Sequence, residues 1–262
     1  MLPYFHIFGL SIPAYGSCMA LGFLLCGFWA WKRAVKRGLL GENLIIIAAC
    51  IFGLSMTGGI LLYDFVTYSP AQIWEYICEG KWDYIVTGGI VFYGALIGGV
   101  LGALLGGIIA RDDIRNYVDV IVPVLPVGHA LGRIGCFCAG CCYGRPTEGP
   151  LGVVYTAAAG GAPAGIPLLP VQLFEAAADI IIAVILLTVS AKTRSKYLTA
   201  IMYCMMYSVV RFILEYYRYD SIRGIAGGLS TSQWISIVLF AAAGLSAVIL
   251  GILSRKKGGK TA

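Results

Sequence analysis

Seven apolar stretches, each long enough to cross a bilayer, constrain this chain more than any other feature. They cover about 10–31, 44–63, 86–110, 117–138, 169–190, 197–217 and 231–253. A transmembrane helix needs roughly 20 mainly apolar residues. In hydrocarbon its backbone polar groups must be satisfied within the segment. The predicted fold class is all-α: a polytopic integral membrane protein with seven transmembrane helices in a single domain over 1–262. Only 12% of the residues are charged, against about 25% in a soluble domain. No stretch reads as a separate soluble domain.

The short basic clusters between the spans set an orientation. Lys32, Arg33, Lys36 and Arg37 follow the first span, and Arg111 and Arg115 the third. Lys192, Arg194 and Lys196 follow the fifth, and Arg255, Lys256, Lys257 and Lys260 the seventh. The opposite loops carry only Lys81, Arg145, Arg218 and Arg223. By the positive-inside rule the first group is cytoplasmic, which predicts an outside N-terminus and a cytoplasmic C-terminus. Extracytoplasmic segments are then expected at about 64–85, 139–168 and 218–230. Trp74, Tyr76, Trp82 and Tyr84 suit the first of these to the headgroup level. The net charge of +6 is a topology signal, and no nucleic-acid partner is expected. No secretory signal peptide is expected either, because the first basic side chain is Lys32.

Charges inside the spans point to function. Insertion scales put an arginine near a helix centre at roughly +2.5 to +3.5 kcal/mol, so such a residue has a partner or a task. Arg133 sits in Gly128-His129-Ala130-Leu131-Gly132-Arg133-Ile134-Gly135-Cys136. His129 and Arg133 are i and i+4 and share a helix face, with Gly132 and Gly135 leaving room beside them. Arg211 sits in a second motif, where Tyr207, Arg211, Glu215 and Arg218 form one polar stripe. The bland readings are an arginine snorkelling to the interface and a self-satisfied ion-pair ladder. Guanidinium forks hold phosphate bidentately, and the phosphate available at membrane depth is a phospholipid headgroup. An anionic membrane lipid is therefore the expected ligand.

Two further features carry weaker signals. The third span places Gly94, Gly98, Gly102 and Gly106 at i+4 spacing, which reads as a face for close helix packing. Tyr93 beside it is more often packing than catalysis. Cys136, Cys138, Cys141 and Cys142 form a dense group. A closed zinc site wants two paired elements, and this group has one CxxC-type spacing and no second half. No metal and no cofactor is therefore assigned, with disulfide pairing as the competing possibility at an outer surface.

Six segments carry a resemblance. They are Ile12-Pro13-Ala14-Tyr15-Gly16, Gly58-Gly59 with Tyr63, Gly132-Arg133-Ile134-Gly135 through Tyr143-Gly144-Arg145-Pro146-Thr147, Pro170-Val171-Gln172-Leu173-Phe174-Glu175, Arg211-Phe212 to Glu215 and Arg218, and Gly228-Leu229-Ser230 to Gln233-Trp234. Together they resemble the bacterial prolipoprotein diacylglyceryl transferases over nearly the whole chain. The resemblance implies a multi-pass protein of the bacterial cytoplasmic (inner) membrane. It implies transfer of the diacylglyceryl group of phosphatidylglycerol to the lipobox cysteine thiol of a prolipoprotein, releasing glycerol 1-phosphate. Catalytic roles are expected for Arg133, Arg211, Tyr207, His129 and Tyr93. Substrate-binding roles are expected for both arginines, Glu215, Arg218, Gly132, Gly135, Gly94, Tyr15 and Gln172.

The chain departs from the family at four places, one of them Ile60, where the family often has Arg. Tyr93-Gly94-Ala95-Leu96 stands where the family has His-Gly-Gly-Leu. A tyrosine that titrates near roughly 10 is a poor base at neutral pH. Cys136 and Ala139-Gly140-Cys141 stand where the family has Asn and Asn-Gly-Glu. His129, one turn from Arg133, is the expected replacement base. The departures keep two alternatives open: the same lipid donor with another thiol or hydroxyl acceptor, or a non-catalytic phospholipid-binding or transport protein.

Overall fold

Long apolar runs fold into helices because no competing polar group offers the backbone another partner. In the computed structural model, residues 3–7, 9–87, 89–156, 158–193, 197–219 and 225–258 are described. Arg194, Lys196, Arg223 and Lys260 of the charge pattern lie outside the described residues, as do positions 157 and 220–224 of the expected outer segments.

The element order opens with a short hairpin, β1 (Tyr4–Ile7) and β2 (Leu10–Pro13), followed by α1 (Ala14–Lys36) and α2 (Gly41–Thr67). Two short helices come next, α3 (Pro70–Cys78) and α4 (Trp82–Thr87). Then follow α5 (Phe92–Ile109), α6 (Arg115–Ile121) and α7 (Leu125–Ala139). A loop with the small pair β3 (Val153–Val154) and β4 (Pro167–Leu168) leads to α8 (Val171–Lys192) and α9 (Leu198–Glu215). The pair β5 (Ile225–Ala226) and β6 (Leu229–Ser230) precedes α10 (Thr231–Gly258).

Among the described residues five helices are long and apolar enough to cross a membrane: α1, α2, α8, α9 and α10. The chain is a multi-pass membrane protein. Two expected spans take other forms. The span expected at 117–138 is broken into α6 and α7, which meet at 51°. Pro123 and Pro126 supply the reason, since each removes a backbone N–H and clashes with the preceding turn. Counting that bent pair as one gives six. The span expected at 86–110 starts later, because Val91 is extended, and its apolar helix is too short to pass by length alone. The three small hairpins were not expected of an all-α chain.

The chain divides into two compact units, Met1–Trp29 with Val118–Ala262, and Ala30–Tyr117. In the second unit α2 and α5 pack backbone to backbone along the glycine stripe. A methyl group built on Gly94 would strike the Gly58 carbonyl, one on Gly98 the Leu54 carbonyl, and one on Gly102 the Cys50 carbonyl. The stripe is thus a packing face. α3 begins with a capping box, in which Ser69 and Gln72 satisfy each other's backbone N–H groups. It leaves Trp74 exposed, as an interfacial segment requires.

In the first unit α8 is the central helix, with Gln172, Glu175, Asp179, Ile182 and Leu186 buried along it. Its opposite side exposes Ile181 and Val184, the face a lipid-contacting helix presents. α7 packs on one flank of α8 and α9 on another, and α10 packs on α9. The N-terminal half of α1 lies against the glycines of α7. A methyl group on Gly132 would meet the Met19 sulfur at 2.9 Å, and one on Gly135 the Tyr15 and Cys18 backbone and side chains at 3.0–3.3 Å.

A candidate phosphate site among buried carboxylates

The site is built from α7, α8 and α9, and Glu175 is its centre. Glu175 is 1% exposed. A lone carboxylate at that depth would be costly, and it is surrounded by donors. Arg133 Nη2 lies 2.9 Å from its Oε1, and Arg211 Nη1 3.8 Å from its Oε2. Tyr207 donates its hydroxyl to Oε1 at 2.9 Å. Arg211 also pairs one turn along α9 with Glu215 at 2.7 Å and donates to the Ser232 hydroxyl at 3.2 Å. The two guanidinium groups therefore converge on one carboxylate from two different helices.

Two of their nitrogens make no hydrogen bond among the described residues. Arg133 Nε and Arg211 Nη1 are buried and have no hydrogen-bond partner among the described residues. A buried donor without a partner costs about 1–3 kcal/mol, and two donors on convergent guanidinium groups suit an anion with several acceptor oxygens.

His129 stands one turn before Arg133. Its Nδ1 is 3.1 Å from Asp179 Oδ2, a close contact outside good hydrogen-bond alignment. Its Nε2 is 3.9 Å from Glu175 Oε1. Its ring packs on Tyr207 at 4.9 Å. The arrangement has the form of a base beside an orienting carboxylate.

The loop after α7 forms the second part of the site. Gly140 closes α7 in the left-handed conformation with φ 73°, and Cys142 follows at φ 59°. The Cys141 carbonyl accepts from Gln172 Nε2 at 2.6 Å, and Gln172 also meets the Tyr155 hydroxyl. The sulfurs of Cys136, Cys141 and Cys142 all lie within 4.8 Å of one another. The guanidinium charges of Arg218 and Arg133 act on the Cys142 sulfur. The Gly144–Arg218 bridge and the Arg145 N–H to Tyr217 carbonyl bond tie this loop to the end of α9.

A family model for prolipoprotein diacylglyceryl transferase matches residues 3–249. The chain belongs to this transferase family. A relative from Clostridium perfringens, named phosphatidylglycerol–prolipoprotein diacylglyceryl transferase 2, is 35% identical over 97% of this chain and 96% of its own length. The enzyme of that name from Clostridium tetani is 36% identical over 89% of this chain and 91% of its own. That from Geobacter sulfurreducens is 31% identical over 98% and 96%.

For this family member the expected residues fall into four groups. Arg133, Arg211, Tyr207, His129 and Glu215 come together around Glu175. Arg218 and Tyr15 stand within electrostatic reach of the cysteine group. Gln172 braces the Cys141 turn, and Gly132 and Gly135 admit α1. Tyr93 and Gly94 belong to the other unit, where Gly94 packs on α2. Sequence reasoning did not single out Asp179 or Ser232, and it met Glu175 only inside a longer motif. The signal was there: Glu175 and Asp179 are i and i+4 carboxylates in an otherwise apolar span, and such residues mark function.

Proposed function

We propose that this protein transfers the diacylglyceryl group of phosphatidylglycerol to the lipobox cysteine thiol of a prolipoprotein, releasing glycerol 1-phosphate. The observation that carries the reading is the pair of buried guanidinium groups, each with a nitrogen that makes no hydrogen bond among the described residues. They clamp the lipid phosphate and stabilise the charge that develops on it as it leaves. Glu175 fixes both in place, and Tyr207 fixes Glu175. His129, oriented by Asp179, is the proton acceptor of the site. Family membership and the names of the relatives support the donor and the acceptor class.

The charge pattern supports seven crossings of the bacterial inner membrane, with an outside N-terminus and the segments at about 64–85, 139–168 and 218–230 on the outer side. α5 and the bent α6–α7 pair then complete the count. Tyr93 and the cysteine group favour one second reading, the same lipid donor with a different thiol or hydroxyl acceptor.

Purified protein in phosphatidylglycerol micelles with a lipobox peptide tests the proposal. Release of glycerol phosphate that depends on the peptide cysteine is expected. Release that persists with a cysteine-free peptide would favour the second reading. Lipid binding without any release would overturn both.

A further inference from the structure

The cysteine group beside the clamp has the geometry of a three-thiolate metal site. We propose that Cys136, Cys141 and Cys142 bind a thiophilic divalent cation, zinc foremost, whose open fourth position takes the acceptor cysteine as a thiolate. The proposal rests on the transferase reading and assigns the step that activates its acceptor.

Zinc–sulfur bonds of about 2.3 Å place thiolates about 4 Å apart, within the 4.8 Å that bounds the three sulfurs. Cys136 comes from the last turn of α7, and Cys141 and Cys142 from the turn beyond Gly140. That turn is built firmly. The Cys141 N–H bonds the Cys136 carbonyl, the Gly160 N–H the Ala139 carbonyl, and the Ala162 N–H the Gly140 carbonyl. Buried Gln172 holds the Cys141 carbonyl from α8. Cys142 is held in the left-handed region, a conformation that costs a non-glycine residue about 1 kcal/mol or more and persists only where the surroundings impose it.

A sulfur-only set selects zinc or another soft cation over magnesium or calcium. A closed structural site needs four ligands, whereas a catalytic one keeps three and an open position. Among the described residues only three ligand groups gather here. Arg133 and Arg218 supply positive charge next to the sulfurs, which offsets the excess negative charge of three or four thiolates around one divalent ion.

His129, Arg133 and Cys136 are at i, i+4 and i+7 on one face of α7. At 1.5 Å rise per residue, Cys136 is about 4.5 Å along the axis from Arg133, on the side away from His129. A nucleophile held there faces a phosphate ester clamped at Arg133. A cavity of about 260 Å³ opens beside Cys141, lined by Tyr4, Pro13, Tyr15 and Gly160, and it can admit the acceptor segment.

The step balances without an oxidant. The acceptor thiol loses its proton on binding the cation, as a coordinated thiol does. The proton passes to water, with His129 as its sink in the site. The metal-bound sulfur attacks the glycerol carbon of the diacylglyceryl group. A carbon–sulfur bond forms, the carbon–oxygen bond to phosphate breaks, and the electron pair leaves on glycerol 1-phosphate. The neutral thioether is a weaker ligand than thiolate and departs.

The test uses the full chain, purified reduced in phosphatidylglycerol micelles. We expect one zinc per chain by elemental analysis. Cobalt exchanged into the protein should show a sulfur-to-metal charge-transfer band. A lipobox peptide should raise that band by about one third as a fourth sulfur joins three. Cys136→Ser, Cys141→Ser and Cys142→Ser should each lose metal and peptide-dependent release, while Cys138→Ser keeps both. Chelation and re-addition of zinc to the unaltered protein should remove and restore release, which covers variants that fail to fold. Metal-free protein at full rate, or a disulfide among the three, overturns the inference and leaves the transferase reading standing. A cobalt band that ignores the peptide overturns the acceptor role. A band that grows with the peptide while no glycerol phosphate appears supports the metal site and overturns the transferase reading.

Discussion

The α2–α5 contact and the α7–α8–α9 contact both lie within apolar helices, yet they are held by opposite means. Between α2 and α5 nothing larger than hydrogen stands at Gly94, Gly98 and Gly102, and the facing carbonyls come to backbone range. Among α7, α8 and α9 two arginines, three carboxylates, a histidine and a tyrosine occupy the space instead. Hydrocarbon offers helices no hydrophobic drive to associate, so small-residue packing suffices where only adhesion is needed. Buried charges do not improve on that, since desolvation offsets much of their attraction. The charge gathered in the α7–α8–α9 contact is the reason the proposed chemistry is placed there.

The largest effect should come from breaking the polar contact. Arg133→Ala and Arg211→Ala should each lower glycerol phosphate release by about 10²–10³-fold, the range for removing one oxyanion-type donor, with membrane insertion unchanged. Release at the native rate in either variant would remove the phosphate clamp. His129→Ala comes next, with a fall of about 10²-fold, the lower end of what a positioned base contributes. Asp179→Asn should move the pH profile of release and leave lipid binding intact if Asp179 acts through His129. An unchanged profile would reduce Asp179 to a packing residue.

The two contacts were unequally legible in the sequence. Arg133 and Arg211 stood out because a charge inside a span has few innocent explanations, and the glycine stripe because its period matches a helix face. Glu175 was harder to weigh. Its importance lies in being shared by residues from two other helices, and no local pattern encodes that convergence. The Cys136, Cys141 and Cys142 group was judged by spacing, which tests for a four-ligand site. The turn at Gly140 that brings three sulfurs together is a matter of backbone conformation. The break between α6 and α7 was written in Pro123 and Pro126, but apolar character on both sides made the stretch read as one span. Tyr93 took its expected role from resemblance, and the structure sets it in the unit where packing dominates.

The glycine contact is tested by stability and not by rate. Gly98→Leu should cost about 1–3 kcal/mol or more, as overpacking against the Leu54 backbone does. Thermal denaturation of the purified protein reads it directly. Gly53 lies in the same α2 helix with nothing within 4 Å of a built methyl group. Gly53→Ala should therefore stabilise by roughly 0.5–1 kcal/mol through helix propensity alone. If both substitutions moved the melting point the same way, close approach would not be what holds α2 to α5.

The smallest effect concerns the turn after α5 in the same unit. Tyr117 donates to Asp112 Oδ2 at 2.8 Å and Asn43 to the same oxygen at 3.0 Å. These bonds, the tyrosine's foremost, hold the Asp112 carboxyl below its ordinary value. A carboxyl with a depressed folded value adds stability that is complete above its unfolded value of about 3.9 and disappears as pH falls through the folded one. The melting temperature should therefore decline below about pH 4. Tyr117→Phe should shrink that decline while leaving the melting point less changed at pH 3 than at pH 7. An equal loss at both pH values would mean that Tyr117 serves the turn by packing alone, and this polar contact of the glycine-packed unit would be structural in shape and not in charge.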